Sequence, residues 1–165
     1  MPKIIENLPQ RLMEEARRQT EELGYSAMTI RSVARSCGVG VGTVYNYYPS
    51  KDALVAAFML SDWKACLAPA YDCGGDAEAV LSRLYDSLVR FLKLHDKIFR
   101  DEAAAISFAG TGGRYHAQLR TQLADPLRRF CRDDFTAAFV GEALLTWAVE
   151  GTAFDVLCPV LLRLM

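Results

Sequence analysis

Histidine is scarce in this 165-residue chain: His95 and His116 are the only two. The five cysteines, Cys37, Cys66, Cys73, Cys131 and Cys158, include no CxxC pair, and none stands at metal-site spacing from a histidine. A structural zinc needs several such ligands in close register, so no metal is expected. An odd cysteine count also argues against a disulfide framework, and a chain of this length buries enough surface to fold without one. The thiols read as free, in a reducing compartment. No segment approaches the roughly 18 uninterrupted apolar residues of a membrane span. The opening MPKIIENLPQRLMEEA lacks an apolar core of signal-peptide length. A cytoplasmic location without a membrane partner is therefore expected.

Catalytic signatures are missing too. There is no nucleophile elbow, and His95-Asp96 is the only adjacent histidine–carboxylate pair. Gly110-Thr111-Gly112-Gly113 imitates a phosphate loop but lacks the Lys-Ser that should follow. Neither catalytic residues nor a cofactor is expected, and the chain does not read as an enzyme. A large charge excess is also absent. The net charge of −1 excludes indiscriminate coating of nucleic acid, which needs many phosphate-neutralising cations. The distribution is uneven: residues 1–51 carry a balance of +2 and the remainder −3. Such an asymmetry suits an N-terminal module that meets DNA and a second part that does not.

What is present is helical periodicity, with no alternating strand pattern and no internal repeat. Pro9 suits a first helical turn. Leu12, Ala16, Thr20 and Leu23 then mark one face, and Arg11, Glu14, Arg17, Arg18, Glu21 and Glu22 the other, until Gly24. A second helix starts at the cap Thr29 and ends at Gly38, and a third, VGTVYNYY, stops before Pro49. Ser50 caps a fourth, with Leu54, Phe58 and Leu67 on one face. Asp72–Asp76 is a turn-rich joint, followed by the stripe Leu81, Leu84, Tyr85, Leu88, Phe91, Leu92 and His95. Arg100-Asp101-Glu102 reads as a solvated turn and residues 110–113 as a loop. A helix spans about His116–Leu123, with a kink or restart at Pro126. Phe135–Met165 reads as a long apolar helix and a shorter one. The fold class is all-α, with eight or nine helices.

Two of these helices meet the demands of a helix-turn-helix. Ala34 is small where the second helix would cross the first, and Gly38 tolerates positive φ in the turn. Val33, Cys37, Val39 and Val44 would share the core between them. An unrelated helical hairpin could show the same spacing. The outward positions, Val41, Gly42, Thr43, Tyr45, Asn46 and Tyr47, with Lys51 beyond, supply hydroxyl, phenol, amide and ammonium groups suited to phosphates. Val41 could meet a thymine methyl. Gly40 and Gly42 each weaken a helix interior by roughly 1 kcal/mol against alanine, a cost compatible with close backbone approach to DNA. Tyr45 and Tyr48 could equally be packing residues.

The run GYSAMTIRSVARSCGVGVGTVYNYYPSKDAL closely resembles the DNA-binding segment of TetR/AcrR-type regulators. The matching features are the Gly24-Tyr25 ending of the first helix, the Thr29 cap, Ala34, Gly38-Val39, Thr43-Val44-Tyr45, Tyr47-Tyr48, Ser50-Lys51 and Leu54. The resemblance covers roughly residues 10–58. It implies a three-helix N-terminal reader over residues 1–51, with its third helix in the major groove. A helical effector-binding and dimerisation domain over 52–165 would follow. Thr29, Thr43, Tyr47 and Lys51 would then hold phosphates, and Val41, Gly42, Tyr45 and Asn46 would lie nearest the bases. Two departures stand out: Gln19-Thr20 replaces a usual apolar pair in the first helix, and Gly40 stands where a serine commonly caps the third.

The partners expected on this basis are double-stranded DNA with a palindromic operator, a second copy of the chain, and a small-molecule effector of unknown identity. Ala137, Gly141, Leu144 and Ala148 form a small-residue stripe suited either to a dimer seam or to an internal helix crossing. Trp63, Tyr85, Phe91, His95, Phe108 and Trp147 could line an effector pocket or simply fill a core. A repressor released by its effector is the leading expectation. An activator or a protein-contact adaptor of the same fold remains the alternative.

Overall fold

A computed structural model describes residues 6–109 and 112–165, and among these all regular structure is helical. The order is α1 (Leu8–Leu23), α2 (Ile30–Cys37), α3 (Val41–Tyr47), α4 (Lys51–Tyr71), α5 (Ala77–Leu94), α6 (Asp96–Phe99) and α7 (Glu102–Ala109). Then come α8 (Gly112–Ala124), a 3-10 turn over Asp125–Leu127, α9 (Asp134–Val149) and α10 (Phe154–Leu162). Residues 1–5 of the N-terminal segment, and residues 110 and 111 of the expected Gly-Thr-Gly-Gly loop, lie outside the described residues. The chain forms two compact units. One takes in the chain up to Asp62 and again from His95 to α7; the other takes in Trp63–Leu94 and the chain from α8 onward. The boundary between the units falls within α4, and the chain returns to the first unit at His95.

In the first unit Leu12, Ala16, Met28, Val33, Val44 and Phe58 are among the side chains that fill the core. Leu23, expected on the inner face of α1, is exposed, because that helix ends there and Gly24 turns the chain away. The segment α6–α7 joins this unit through polar contacts. Asp101 caps α7 by accepting the amides of Ala103 and Ala104 at 3.0 and 3.1 Å, and it also accepts the Ser26 amide and hydroxyl. The expected solvated turn at Arg100–Glu102 is therefore a helix start, tied to the loop before α2. No amphipathic stripe announces α7, whose sequence EAAAISFA is apolar all round.

Where α4 leaves this unit, Arg17 grips Asp62 with two bonds of 2.9 and 2.7 Å, and His95 Nε2 lies 3.3 Å from the same carboxylate. His95 is buried, with its ring stacked 6.0 Å from Phe58. Burial holds the imidazole down to about 4, opposed by Asp62 and reinforced by Arg17. α4 is long and apolar enough to cross a bilayer by length and composition alone. Its Leu54, Val55, Phe58, Trp63, Cys66 and Leu67 are instead buried in the protein's own packing.

The second unit packs α5, α8 and α10 around α9. Ala137, Gly141, Leu144 and Ala148 are its buried face. A Cβ at Gly141 would meet the Leu123 Cβ at 3.2 Å and the Ala124 amide nitrogen at 3.4 Å. The stripe expected as a dimer seam is therefore an internal crossing: α8 of the same chain occupies it. At two of the prolines here, a carbonyl left without its usual donor is taken up by a side chain. Pro69 has no N–H for the Ala65 carbonyl, and the Arg90 guanidinium donates to Ala65 and Cys66 at 3.4 and 2.9 Å. Pro126 has none for Gln122, whose carbonyl accepts the Tyr71 hydroxyl at 2.8 Å.

Two outcomes follow from this packing. Gly141→Val should lower stability by about 1–3 kcal/mol through overpacking against backbone, without altering the oligomeric state. Urea titration and sedimentation velocity check the two halves. His95 carries the second. Its folded pKa lies below its unfolded value of 6.5, so the unfolded chain takes up more protons and stability falls as pH drops from 6.5 towards 4. Going from pH 7 to pH 5 should cost about 2 kcal/mol. His95→Gln should flatten that slope in urea midpoints measured across the range.

Candidate nucleic-acid interface

The interface is built from the turn outward. At the end of α2, Gly38 adopts φ 69° and ψ 31°, a left-handed conformation that a side chain would strain. Its amide donates to the Arg35 carbonyl at 3.1 Å, and Val39 donates to Ala34 at 3.0 Å. This paired bonding closes the helix and reverses the chain within three residues. Ala34, Val33, Cys37 and Val44 are buried between α1, α2 and α3, with Val39 partly covered. Each occupies the place its size and spacing predict.

The start of α2 is held by a reciprocal cap. Thr29 Oγ1 accepts the Ser32 amide at 3.0 Å, and Ser32 Oγ accepts the Thr29 amide at 3.1 Å. Thr29 itself is exposed. Arg31 and Arg35 stand one turn apart on the exposed side of the same helix, two cations that the spacing argument did not single out.

α3 has seven residues and begins at Gly40, whose lack of a side chain leaves the helix without a side-chain cap. Its one fully buried residue is Val44. Tyr45 and Tyr47 are about half exposed, at 50% and 48%, and Asn46 is exposed beside them. Around Gly42 no heavy atom of the described residues lies within 4 Å of an added Cβ, so none of them requires glycine there. Thr43 is half-buried. Val41 is also half-buried and packs on the core, so only part of its surface faces outward. Of the two tyrosines read as possible packing residues, Tyr48 is one, with its hydroxyl donating to the Pro9 carbonyl at 3.2 Å. Tyr45 is not.

Lys51 has partners within the first unit. Its ammonium lies 4.0 Å over the Tyr25 ring and donates to the Tyr25 carbonyl, and burial pushes its pKa down. Tyr25 in turn bonds Asp52, which accepts the Ser107 hydroxyl. The lysine thus fastens the loop between α1 and α2 to the start of α4.

The six aromatic residues named as pocket candidates are distributed over both units. His95 and Phe108 belong to the first unit, Phe108 tilted against Tyr25 at 5.9 Å. In the second unit Trp63 meets Phe91 edge-on at 5.1 Å and donates to the Gln122 side chain at 2.8 Å. Tyr85 donates to the Thr152 carbonyl at 2.8 Å, and Trp147 stands half exposed on α9.

Sequence reasoning also passed over the partners of Gln19. Its carbonyl oxygen accepts the Ser32 hydroxyl at 2.5 Å, and its amide donates to Glu15 at 2.7 Å. The available signal was a polar residue on the inner stripe of α1.

Residues 12–58 match the family described as "Bacterial regulatory proteins, tetR family". The HTH-type transcriptional regulator UidR of Escherichia coli K12 is 33% identical over 58 residues, which is 35% of this chain and 30% of UidR. The chain therefore matches less than a third of the length of that curated relative. Among solved structures, Salmonella enterica GusR superposes with a TM-score of 0.59 at 18% identity, over 98% of both chains. RolR in complex with resorcinol superposes with a TM-score of 0.58 at 22% identity, over 95% of this chain and 86% of RolR. At such identities the likeness establishes the fold. The segment from Leu12 to Phe58 is thus similar to the N-terminal helix-turn-helix of the tetR family, and the likeness over the rest of the chain is one of fold.

Proposed function

We propose that this protein is a sequence-specific DNA-binding transcriptional regulator, a homodimeric repressor that a small-molecule effector releases from a palindromic operator. The observation that carries the reading is α3: one buried residue anchors it, while Tyr45, Asn46, Tyr47 and the open position Gly42 face outward. A helix so presented fits a major groove, which distinguishes all four base pairs by their donor and acceptor patterns. In this reading Val41, Gly42, Tyr45 and Asn46 meet base edges. Thr29, Thr43 and Tyr47 bond phosphates, joined by the exposed Arg31 and Arg35. Lys51 adds charge to that rim while it holds the Tyr25 loop in place. Such a reader works in the compartment that contains the DNA, the cytoplasm of a bacterium.

One seven-residue helix reads only a few base pairs, and a pair of readers on one palindrome combines their contacts. The surface that supports pairing is the outer side of α9 and α10, not the buried stripe. Phe135, Phe139 and Trp147 recur every four or eight residues along α9, and Val156 and Val160 follow on α10; all are more than half exposed. Large apolar side chains exposed in this way mark an interaction site, and the same face of a second copy is the partner we assign to it. An effector is supported by analogy: RolR, similar in fold, carries resorcinol. The second unit, with its Trp63–Phe91 pair and Tyr85, is where a comparable ligand would be sought.

Anisotropy titrations with duplexes selected from a random pool test the reading. Selected sequences should bind at least about 10³-fold more tightly than random ones, with affinity falling steeply as salt rises. Equal affinity for both pools would falsify sequence specificity. For the dimer, Phe139→Asp should give a monomer in sedimentation velocity that keeps its helical circular dichroism and loses operator binding. A Phe139→Asp protein that stays dimeric would move the interface off α9.

A further inference from the structure

Gln19 is a buried amide in the middle of the inner face of α1, 4% exposed. An apolar residue there would need no partners, so the amide calls for a reason beyond filling space. Its contacts lead in one direction. Gln19 Oε1 accepts the Ser32 hydroxyl, and Ser32 Oγ accepts both the amide and the hydroxyl of Thr29, each at 3.1 Å. On the other side Gln19 Nε2 donates to Glu15 and reaches the Ser36 hydroxyl at 3.4 Å. Glu15 is held down to about 2, chiefly by its bond from Arg18, so the amide always has a charged acceptor.

The cap of α2 explains why this matters. A reciprocal cap ordinarily uses a Glu or Gln at its third position, long enough to reach back by itself. Here that position is Ser32, whose single hydroxyl proton can go to the Thr29 carbonyl at 2.8 Å within its own turn, or across to Gln19. Donation to Gln19 ties the start of α2 to α1, while the Ser32 oxygen accepts the Thr29 amide.

We propose that Gln19 is a positioning residue for DNA binding: through Ser32 it sets the angle at which Thr29 and the start of α2 face the phosphate backbone. The inference rests on reading the first unit as a DNA reader. Gln19 touches no nucleic acid itself. The same geometry accounts for a polar residue where the family usually places an apolar one.

Gln19→Leu, Ser32→Ala and the double variant form the test, using the full-length protein on an operator selected with the unsubstituted chain. Leucine fills the space without the bonds, so the melting temperature should hold or rise. Affinity should nevertheless fall about five- to tenfold, the equivalent of one lost hydrogen bond. It should fall alike on every duplex, and the salt dependence should flatten by about one phosphate contact. The double variant should be no worse than either single one, because both break the same relay. Ser32 is only half-buried, so Ser32→Ala decides the matter if the leucine variant fails to fold. Wild-type affinity and salt slope in a stable variant overturn the proposal, as does a loss that merely tracks the melting temperature. Failure of the unsubstituted protein to bind any duplex overturns the DNA reading itself, and this inference with it.

Discussion

The presentation of α3 depends on how closely it approaches α2. That approach needs a methyl group at Ala34, a left-handed residue at Gly38 and a branched apolar side chain at Val44, all within eleven residues. None of the three touches DNA in the proposed reading. They set a crossing that leaves Tyr45, Asn46 and Tyr47 no inward option, since Val44 alone takes the buried position of that short helix. Outward polarity at the candidate site is thus a consequence of the apolar contact behind it. A helix of seven residues without a side-chain cap would hardly persist alone, because nucleation is unfavourable and short helices are marginal in water. Packing on α1 and α2 supplies what its own sequence does not.

Polar contacts, part-buried at Arg17–Asp62 and Tyr25–Asp52 and exposed at Ser26–Asp101, join the rest of the first unit. Arg17 and Asp62 meet in a forked pair, Tyr25 links Asp52 and Lys51, and Asp101 bonds Ser26. Each contact joins segments far apart in the chain, and each is directional where apolar packing is not. The part-buried ones are costly if left unpaired, so they penalise alternative arrangements. The consequence is that residues after His95 are built into the same unit as the reading helices. A change felt in α6 or α7 has a covalent and hydrogen-bonded path to the loop that precedes α2.

The second unit solves a different problem. Prolines inside or just beyond helices strand carbonyl groups, and Arg90 and Tyr71 reach across from neighbouring helices to bond near those places. Gly141 lets α8 and α9 approach until a single added carbon would press on backbone. The small residues of α9 therefore serve its own core, and the large ones, Phe135, Phe139 and Trp147, are left outside. In a free monomer that distribution leaves large apolar side chains exposed, which is the ground of the pairing surface proposed above.

Much of this was legible in the amino-acid order because it is local. Helix periodicity, the Thr29 cap, the Gly38 turn and the stop before Pro49 each depend on residues within a few positions of one another, and the all-α class with its N-terminal helix-turn-helix follows from them. The resemblance over residues 10–58 rests on the same short-range constraints and agrees with the family match over 12–58. What remained hidden is whatever depends on a distant partner. A stripe of small residues says that something packs closely, and only the position of Leu123 shows that the partner is α8. An aromatic residue suits a pocket or a core equally, and Trp63 and Phe108 were divided between units by contacts their neighbours in sequence do not encode. Lys51 carries a charge suited to phosphate, yet the Tyr25 ring decides where its ammonium rests. Gln19 was visible as an anomaly, but its meaning required Ser32, thirteen residues away. Local sterics and periodicity are written along the chain, whereas the choice of which surfaces meet belongs to the folded structure.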